Sequence, residues 1–161
     1  MKGKTEVLAV LSKALKEELG AILQYFLHAE MCENWGYERL SELIKKQSIG
    51  EMKHAEVLTE RILFLEGTPN VGDVPKLNIG KDVKQQLQND LDLEVGAVAD
   101  YNHAIATCIK AGDNASADLM KILLQDEEEH VDFLETQLSL IKDLGLENYL
   151  MEQMGEEEEE K

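Results

Sequence analysis

The sequence predicts an all-α protein: a four-helix bundle made of two helical hairpins, with one long crossover between helices 2 and 3 and a short C-terminal fifth helix. Three observations lead there. Both prolines of the 161 residues, Pro69 and Pro75, share one window. Elsewhere the chain is rich in Leu, Glu, Lys, Ala and Gln, which form helices readily. Apolar residues in four long segments recur at a spacing of three and four, the mark of one buried helical face.

The first helix, about Thr5 to Glu33, carries the stripe Leu8, Leu11, Leu15, Ile22, Tyr25 and Ala29, with Glu18 in an apolar slot. Asn34-Trp35-Gly36 breaks it. The second, about Glu38 to Leu65, uses Leu40, Ile44, Gln47, Leu58, Ile62 and Leu65, and Glu51 and His54 fall inside that stripe. From Glu66 to Lys81 the chain holds Gly67, Pro69, Gly72, Pro75 and Gly80. Extended, this loop reaches about 50 Å, and a helix of the first one's length measures about 43 Å. The loop can therefore run the full length of a bundle. Asp82 with Gln85 resembles a capping box opening the third helix, whose stripe is Leu87, Leu91, Val98, Tyr101, Ile105 and Cys108, again with a carboxylate, Glu94, in an apolar slot. Gly112-Asp113-Asn114 turns the chain. The fourth helix, about Ala115 to Leu144, uses Leu119, Leu123, Leu134, Leu138 and Ile141, with Glu127 and His130 among them, and Gly145 caps it. Residues 1–154 form one expected domain, the bundle at about 5–144 and the fifth helix at about 146–154. The acidic tail 155–161 is expected to be disordered.

At 43% hydrophobic residues the chain has an ordinary globular composition. The formal net charge of −17 leaves nothing to neutralise phosphates, which excludes nucleic-acid binding. It suits either solubility or the attraction of cations. Cys32 and Cys108 lack CxxC partners and read as small buried hydrophobes in a reducing compartment. No apolar run is long enough to span a membrane. A cytoplasmic protein is expected.

The two halves repeat at an offset of 76 residues. Glu18-Leu19-Gly20-Ala21-Ile22 matches Glu94-Val95-Gly96-Ala97-Val98, Tyr25 matches Tyr101, and Glu51 and His54 match Glu127 and His130. Two hairpins related by a pseudo-twofold explain this. Glu18 and Glu51 are equidistant from the Asn34-Trp35 turn, as are Glu94 and Glu127 from the Ala111-Gly112 turn. In antiparallel hairpins all six ionisable residues then sit near mid-bundle. Each Glu-x-x-His also places its carboxylate and imidazole one turn apart on one face.

Four carboxylates and two imidazoles in a core cannot stay ionised and unpaired, because a lone buried charge costs several kcal/mol or more. No Lys or Arg occupies the matching slots. Two divalent cations would balance the four carboxylates, and mixed oxygen and nitrogen donors suit iron or manganese.

One Glu from each of two helices and a Glu-x-x-His from each of the other two is the pattern of ferritin-like di-iron bundles. Over nearly its full length the chain resembles the bacterioferritins, in Gln24-Tyr25-Phe26-Leu27-His28-Ala29, Asn34-Trp35-Gly36, Glu51-Met52-Lys53-His54-Ala55, the run Arg61 to Gly67, and Asp126-Glu127-Glu128. That resemblance implies iron storage and detoxification. A homo-oligomeric shell of 24 subunits, built from twofold dimers, would oxidise Fe(II) with dioxygen or hydrogen peroxide and keep the ferric mineral inside. Carried over by position, Glu18 and His54 would hold one iron, Glu94 and His130 the other, and Glu51 and Glu127 would bridge them. Tyr25 would bond to a ligand carboxylate or supply an electron, whereas Tyr101 reads better as core packing with a satisfied hydroxyl.

Met52 lies about 100° around its helix from Glu51 and should point out of the bundle, near Ile49 and Lys53. Alone, an exposed methionine reads as structural. The resemblance implies that Met52 and its copy across a twofold axis ligate a b-type haem, with Leu19, Ile22 and Phe26 beside it. That haem would pass electrons from a ferredoxin-type reductant to the mineral. The chain departs from many bacterioferritins at Lys46 and Gly50, where a histidine and an aspartate are frequent, which puts an inner-surface iron-transfer site in doubt. His28 and His103 lie off the ligand pattern and are expected to be hydrogen-bonding helix residues. The competing readings are a di-iron or di-manganese oxidase or peroxidase without a storage role, and a shell subunit that mainly carries haem.

Overall fold

The computed structural model describes residues 1–155, so the expected acidic tail, Gly155 apart, lies outside the described residues. The helices are α1 (Thr5–Asn34), α2 (Glu38–Phe64), α3 (Val83–Lys110), α4 (Asn114–Leu144) and α5 (Leu146–Glu152), and no strand occurs among the described residues. Helix α1 packs along α2, α3 packs along α4, and α1 also lies against α3. The all-α bundle of two hairpins is as expected.

Hydrogen bonds fix the directions. Gly3 N–H donates to the Leu65 carbonyl at 2.8 Å, and the Ser48 hydroxyl donates to the Ile22 carbonyl at 2.9 Å, so α1 and α2 are antiparallel. Lys4 reaches the Ala111 carbonyl, and Cys32 donates to Gln86 at the other end, so α1 and α3 are antiparallel too. Helices α2 and α3 therefore run the same way, and the crossover must travel the bundle. It does so beside α1. Lys16 pairs with Asp73 at 3.1 Å, Gly20 lies under Pro75, and Asn78 and Gly80 N–H donate to Gln24 and His28, each at 3.0 Å. From Gly3 to His28 is about 38 Å of helix, which the crossover covers at about 2.5 Å per residue, short of full extension. A Cβ on Gly20 would sit 2.5 Å from Pro75 Cγ, and one on Gly80 would sit 2.3 Å from the Gln86 backbone nitrogen. Only glycine lets the crossover lie this close.

Helices α1, α2 and α3 end alike. The N–H groups of Tyr37, Gly67 and Asp113 donate back to Cys32, Ile62 and Cys108, each at 2.9 Å. A left-handed residue precedes each donor: Gly36, Glu66 and Gly112. At the start of α3, Asp82 accepts from the Gln85 N–H at 2.9 Å, while the Gln85 side chain accepts from Lys81 rather than from Asp82. Asp113 caps α4 by accepting from the Ser116 N–H at 3.0 Å. Helix α5 stops at Glu152, two residues short of the expected end, and buries Tyr149, whose hydroxyl donates to Gln137 at 2.8 Å.

The core has two apolar layers. One gathers Leu11, Leu15, Leu58, Ile62, Cys108 and Met120. The other gathers Ala29, Leu40, Ile44, Leu87, Leu134 and Tyr149. Both cysteines are free and buried. The expected stripe of α3 needs correcting, because Leu91, Val98 and Ile105 are only half-buried while Gln86 and Asp90 are fully buried. Those polar side chains are tolerated because they are satisfied: Gln24 donates to Asp90 at 2.8 Å, His28 Nδ1 donates to it at 3.0 Å, and Cys32 bonds Gln86.

Candidate metal centre

Between the two apolar layers lies a polar one. Glu18, Glu51, His54, Glu94 and Glu127 are buried and His130 is half-buried, each carried on a helix face that is otherwise apolar. All four bundle helices contribute. His54 Nδ1 lies 2.8 Å from Glu51 Oε2, 3.1 Å from Glu127 Oε1 and 3.5 Å from Glu18 Oε1. His130 Nδ1 lies 2.9 Å from Glu51 Oε1, 3.2 Å from Glu127 Oε2 and 3.5 Å from Glu94 Oε1. Glu51 and Glu127 thus offer one oxygen to each histidine, whereas Glu18 and Glu94 serve one apiece. The result is two four-residue donor groups that share Glu51 and Glu127, each with its ligand atoms within 4.8 Å of one another.

Apart from the hydrogen bond between His54 and Glu127 Oε1, these approaches are close but poorly directed for hydrogen bonds. Both Glu51 oxygens, Glu127 Oε2 and His130 Nδ1 are buried without a hydrogen-bond partner. Buried orphans of this kind are rare. Here they belong to residues of the two donor groups, an arrangement that suits cations better than mutual hydrogen bonding.

The electrostatics follow from burial and crowding. Burial raises the Glu18 and Glu94 carboxyls well above the usual range, despite the opposing effects of His54 and His130. Burial also works to raise Glu51 and Glu127, but the two imidazoles held close against them outweigh it and keep them below that range. Burial disfavours charge on the two imidazoles, yet the surrounding carboxylates, Glu127 foremost, push both up, His130 to about 12.

The tyrosines cross the seam between the hairpins. Tyr25 on α1 donates to Glu94 on α3, and Tyr101 on α3 donates to Glu18 on α1. Burial, then the facing Glu94 or Glu18, raises both phenols, so each stays a donor. Tyr101 packs in the core with a satisfied hydroxyl, and its partner Glu18 makes its placement the counterpart of Tyr25 on Glu94. Sequence reasoning also missed Asp126, whose Oδ2 lies 3.0 Å from His54 Nε2. Its position next to Glu127 was the available signal.

A ferritin-like domain profile matches residues 8–144. A bacterioferritin of Brucella melitensis biotype 1 is 47% identical over 149 residues, covering 92% of this chain and 92% of its own length. The chain belongs to the bacterioferritin family. A bacterial ferritin of Synechocystis sp. is 46% identical over 156 residues, 96% of this chain and 100% of its own. A bacterioferritin of Mycobacterium leprae is 43% identical over 149 residues, 92% and 94% respectively.

Away from the buried centre, this bacterioferritin-family chain exposes an apolar patch on α1 and α2. Met52 is 57% exposed, with Ile49, Phe26, Leu23 and Leu27 also exposed, while Leu19 and Ile22 are half-buried against the core. Lys46 and Lys53 are exposed and Gly50 half-buried. His28 forms hydrogen bonds within the fold, as expected, because its Nε2 accepts from Gly80 while Nδ1 faces Asp90. His103 does not: its side chain is exposed, and only its backbone carbonyl accepts, from Thr107. A cavity of about 270 Å³ between α1, α3 and the crossover reaches Glu18, Glu94, Glu127 and Tyr101. Among the described residues no helix is long and apolar enough to cross a membrane.

Proposed function

We propose that the chain stores iron and detoxifies Fe(II) by oxidising it inside the bundle. The observation that carries this reading is the pair of buried donor groups sharing Glu51 and Glu127. Two Fe(II) ions, as substrate, bind with Glu18 and His54 on one side and with Glu94 and His130 on the other. Glu51 and Glu127 lie between them, where shared anions offset the repulsion of two nearby cations. Each Fe(II) gives up one electron, and the pair reduces dioxygen to hydrogen peroxide, or hydrogen peroxide to water, with two protons taken up. Tyr25 and Tyr101 hold the terminal carboxylates in place through their hydroxyls. The names of the relatives, bacterioferritin and bacterial ferritin, favour storage over an oxidase or peroxidase without a mineral.

In this reading the chain assembles as 24 copies built from twofold dimers and works in the cytoplasm. The patch around Met52 gives the haem expectation a physical footing, since an exposed thioether among apolar side chains fits a haem and its flat apolar faces. Met52 and its copy in a second subunit would hold the iron, Phe26 and Ile49 would flank the macrocycle, and the group would supply a redox centre for reducing stored mineral.

Replacing Glu18 or Glu127 by alanine should abolish rapid Fe(II) oxidation while leaving the assembly intact by light scattering. Unchanged oxidation rates would remove the assigned centre. A particle no larger than a dimer in every salt condition would remove the storage reading. A Met52→Leu variant that keeps its haem would remove that ligand.

A further inference from the structure

The two halves of the centre match closely on the side facing the carboxylates. Distances of 2.8, 3.1 and 3.5 Å around His54 Nδ1 are answered by 2.9, 3.2 and 3.5 Å around His130 Nδ1. They differ at the other ring nitrogen. His54 Nε2 lies 3.0 Å from Asp126 Oδ2. The 76-residue repeat that maps Glu51 onto Glu127 and His54 onto His130 maps Gly50 onto Asp126. The residue that should brace His130 therefore has no side chain. Space is not the reason, because a Cβ at Gly50 would meet nothing within 4 Å. Among the described residues every ion-pair contact of His130 runs through Nδ1, and its side chain is 18% exposed against 8% for His54.

We infer that the centre is functionally asymmetric: Asp126 braces the Glu18–His54 half, which retains its divalent cation, and Gly50 leaves the Glu94–His130 half to exchange one. The inference rests on the two-cation reading proposed above. Its chemistry is that of a histidine ligand. A neutral imidazole carries one N–H. When Nε2 holds that proton and donates it to Asp126, the Nδ1 lone pair is aimed at Glu18, Glu51 and Glu127, and the ring cannot turn without breaking the bond. His130 has no such tether, so its tautomer and ring angle are set only by the cation. Asp126 is a positioning residue, acting through His54. One ion can then leave while the other stays between Glu51 and Glu127.

The test uses assembled protein stripped of metal and Co(II) as the probe, with binding read by heat and by ligand-field absorption in the absence of oxidant. Single-half variants avoid the charge coupling that would separate two steps even in a symmetric site. His130→Ala keeps the braced half, and His54→Ala keeps the unbraced one. The braced half should bind Co(II) about 10 to 100 times more tightly, the usual effect of a hydrogen-bonded partner on a metal-bound histidine. Adding Asp126→Ala to the first variant should remove that advantage. Adding Gly50→Asp to the second should supply it. Gly50 lies in open space and Asp126 at the edge of the cluster, and circular dichroism checks the fold of each variant. Equal affinities in the two single-half variants, or an advantage that survives Asp126→Ala, overturns the inference. Failure of the underlying reading looks different: native protein would then take up no Co(II) in a manner sensitive to Glu18→Ala or Glu94→Ala.

Discussion

Filling the centre of metal-free protein with two divalent cations at neutral pH should expel about four protons per chain. Two come from the imidazoles. Burial opposes their charge, but the carboxylates around them win, raising His54 strongly and His130 to about 12. Two more come from Glu18 and Glu94, whose carboxyls burial raises well above the usual range. Glu51 and Glu127 contribute none, because the two histidines already hold them ionised. The charges agree with this count. Two imidazolium ions offset two carboxylates before loading, and two divalent cations offset four carboxylates after it. The released protons set the pH dependence, so the product of the two binding constants should rise about 10⁴-fold per pH unit near neutrality. Zn(II) titrations in two buffers of different ionisation enthalpy measure the proton count from the difference in heat. Release of one proton or fewer would refute the reasoning, since the imidazoles would then be neutral and the carboxylates ionised beforehand. The same shifts fix the stability of the metal-free protein. The raised histidines stabilise fully below about pH 6.5 and lose this as pH rises towards their folded values. The lowered Glu51 and Glu127 stabilise above about pH 4.3 and lose this on acidification. The raised Glu18 and Glu94 destabilise progressively above about pH 4.3. Metal-free protein should therefore be most stable in mildly acidic buffer, and metal should move that optimum upward.

Replacing Tyr25 by phenylalanine leaves Glu94 without its donor and should cost about 1 to 3 kcal/mol in urea unfolding of metal-free protein. Tyr101→Phe should cost a similar amount through Glu18, and a loss under about 0.5 kcal/mol would mean that its hydroxyl is incidental. Glu66 is the only non-glycine with positive φ among the described residues, at 61°, so Glu66→Gly should stabilise by about 1 kcal/mol in thermal melts. Its exposed ion pair with the Met1 amino group offsets little of that. Gly80→Ala would drive a methyl into the Gln86 backbone and should destabilise by about 1 to 3 kcal/mol, loosening the crossover to proteolysis.

The sequence carried the bundle because its period is local: apolar residues at three and four, broken by Asn34-Trp35-Gly36 and Gly112-Asp113-Asn114, report directly on helices and turns. It carried the six clustered residues because a charged side chain in an apolar slot is conspicuous, and because the repeat supplied a second copy of each. The features it hid are those in which a polar group is made tolerable by a partner from another element. Asp90 and Gln86 are polar residues outside the apolar stripe of α3, and only the fold brings Gln24, His28 and Cys32 to them. Tyr101 packs with a satisfied hydroxyl as its place in the stripe suggests, but the identity of its partner, Glu18, 83 residues away, needs the fold. Asp126 looked like one more charge in an acidic run until α2 placed His54 beside it.

The position of the polar layer also bears on what metal binding does to the fold. The two apolar layers hold the bundle together above and below it. Within it, the directed hydrogen bonds cross between hairpins: Tyr25 to Glu94, Tyr101 to Glu18, and His54 to Asp126 and Glu127. A layer of buried carboxylates left to itself weakens the middle of the bundle, because each needs a proton or a counter-charge to stay there. Glu51 belongs to one hairpin and Glu127 to the other, and each presents oxygens to both histidines. A cation on either side therefore ties α1 and α2 to α3 and α4 at the height where apolar contact is absent. Binding free energy at this place adds to folding free energy, as it does wherever ligands gather only in the native state. In the asymmetric centre argued above, the retained ion would hold the hairpins together while its neighbour comes and goes.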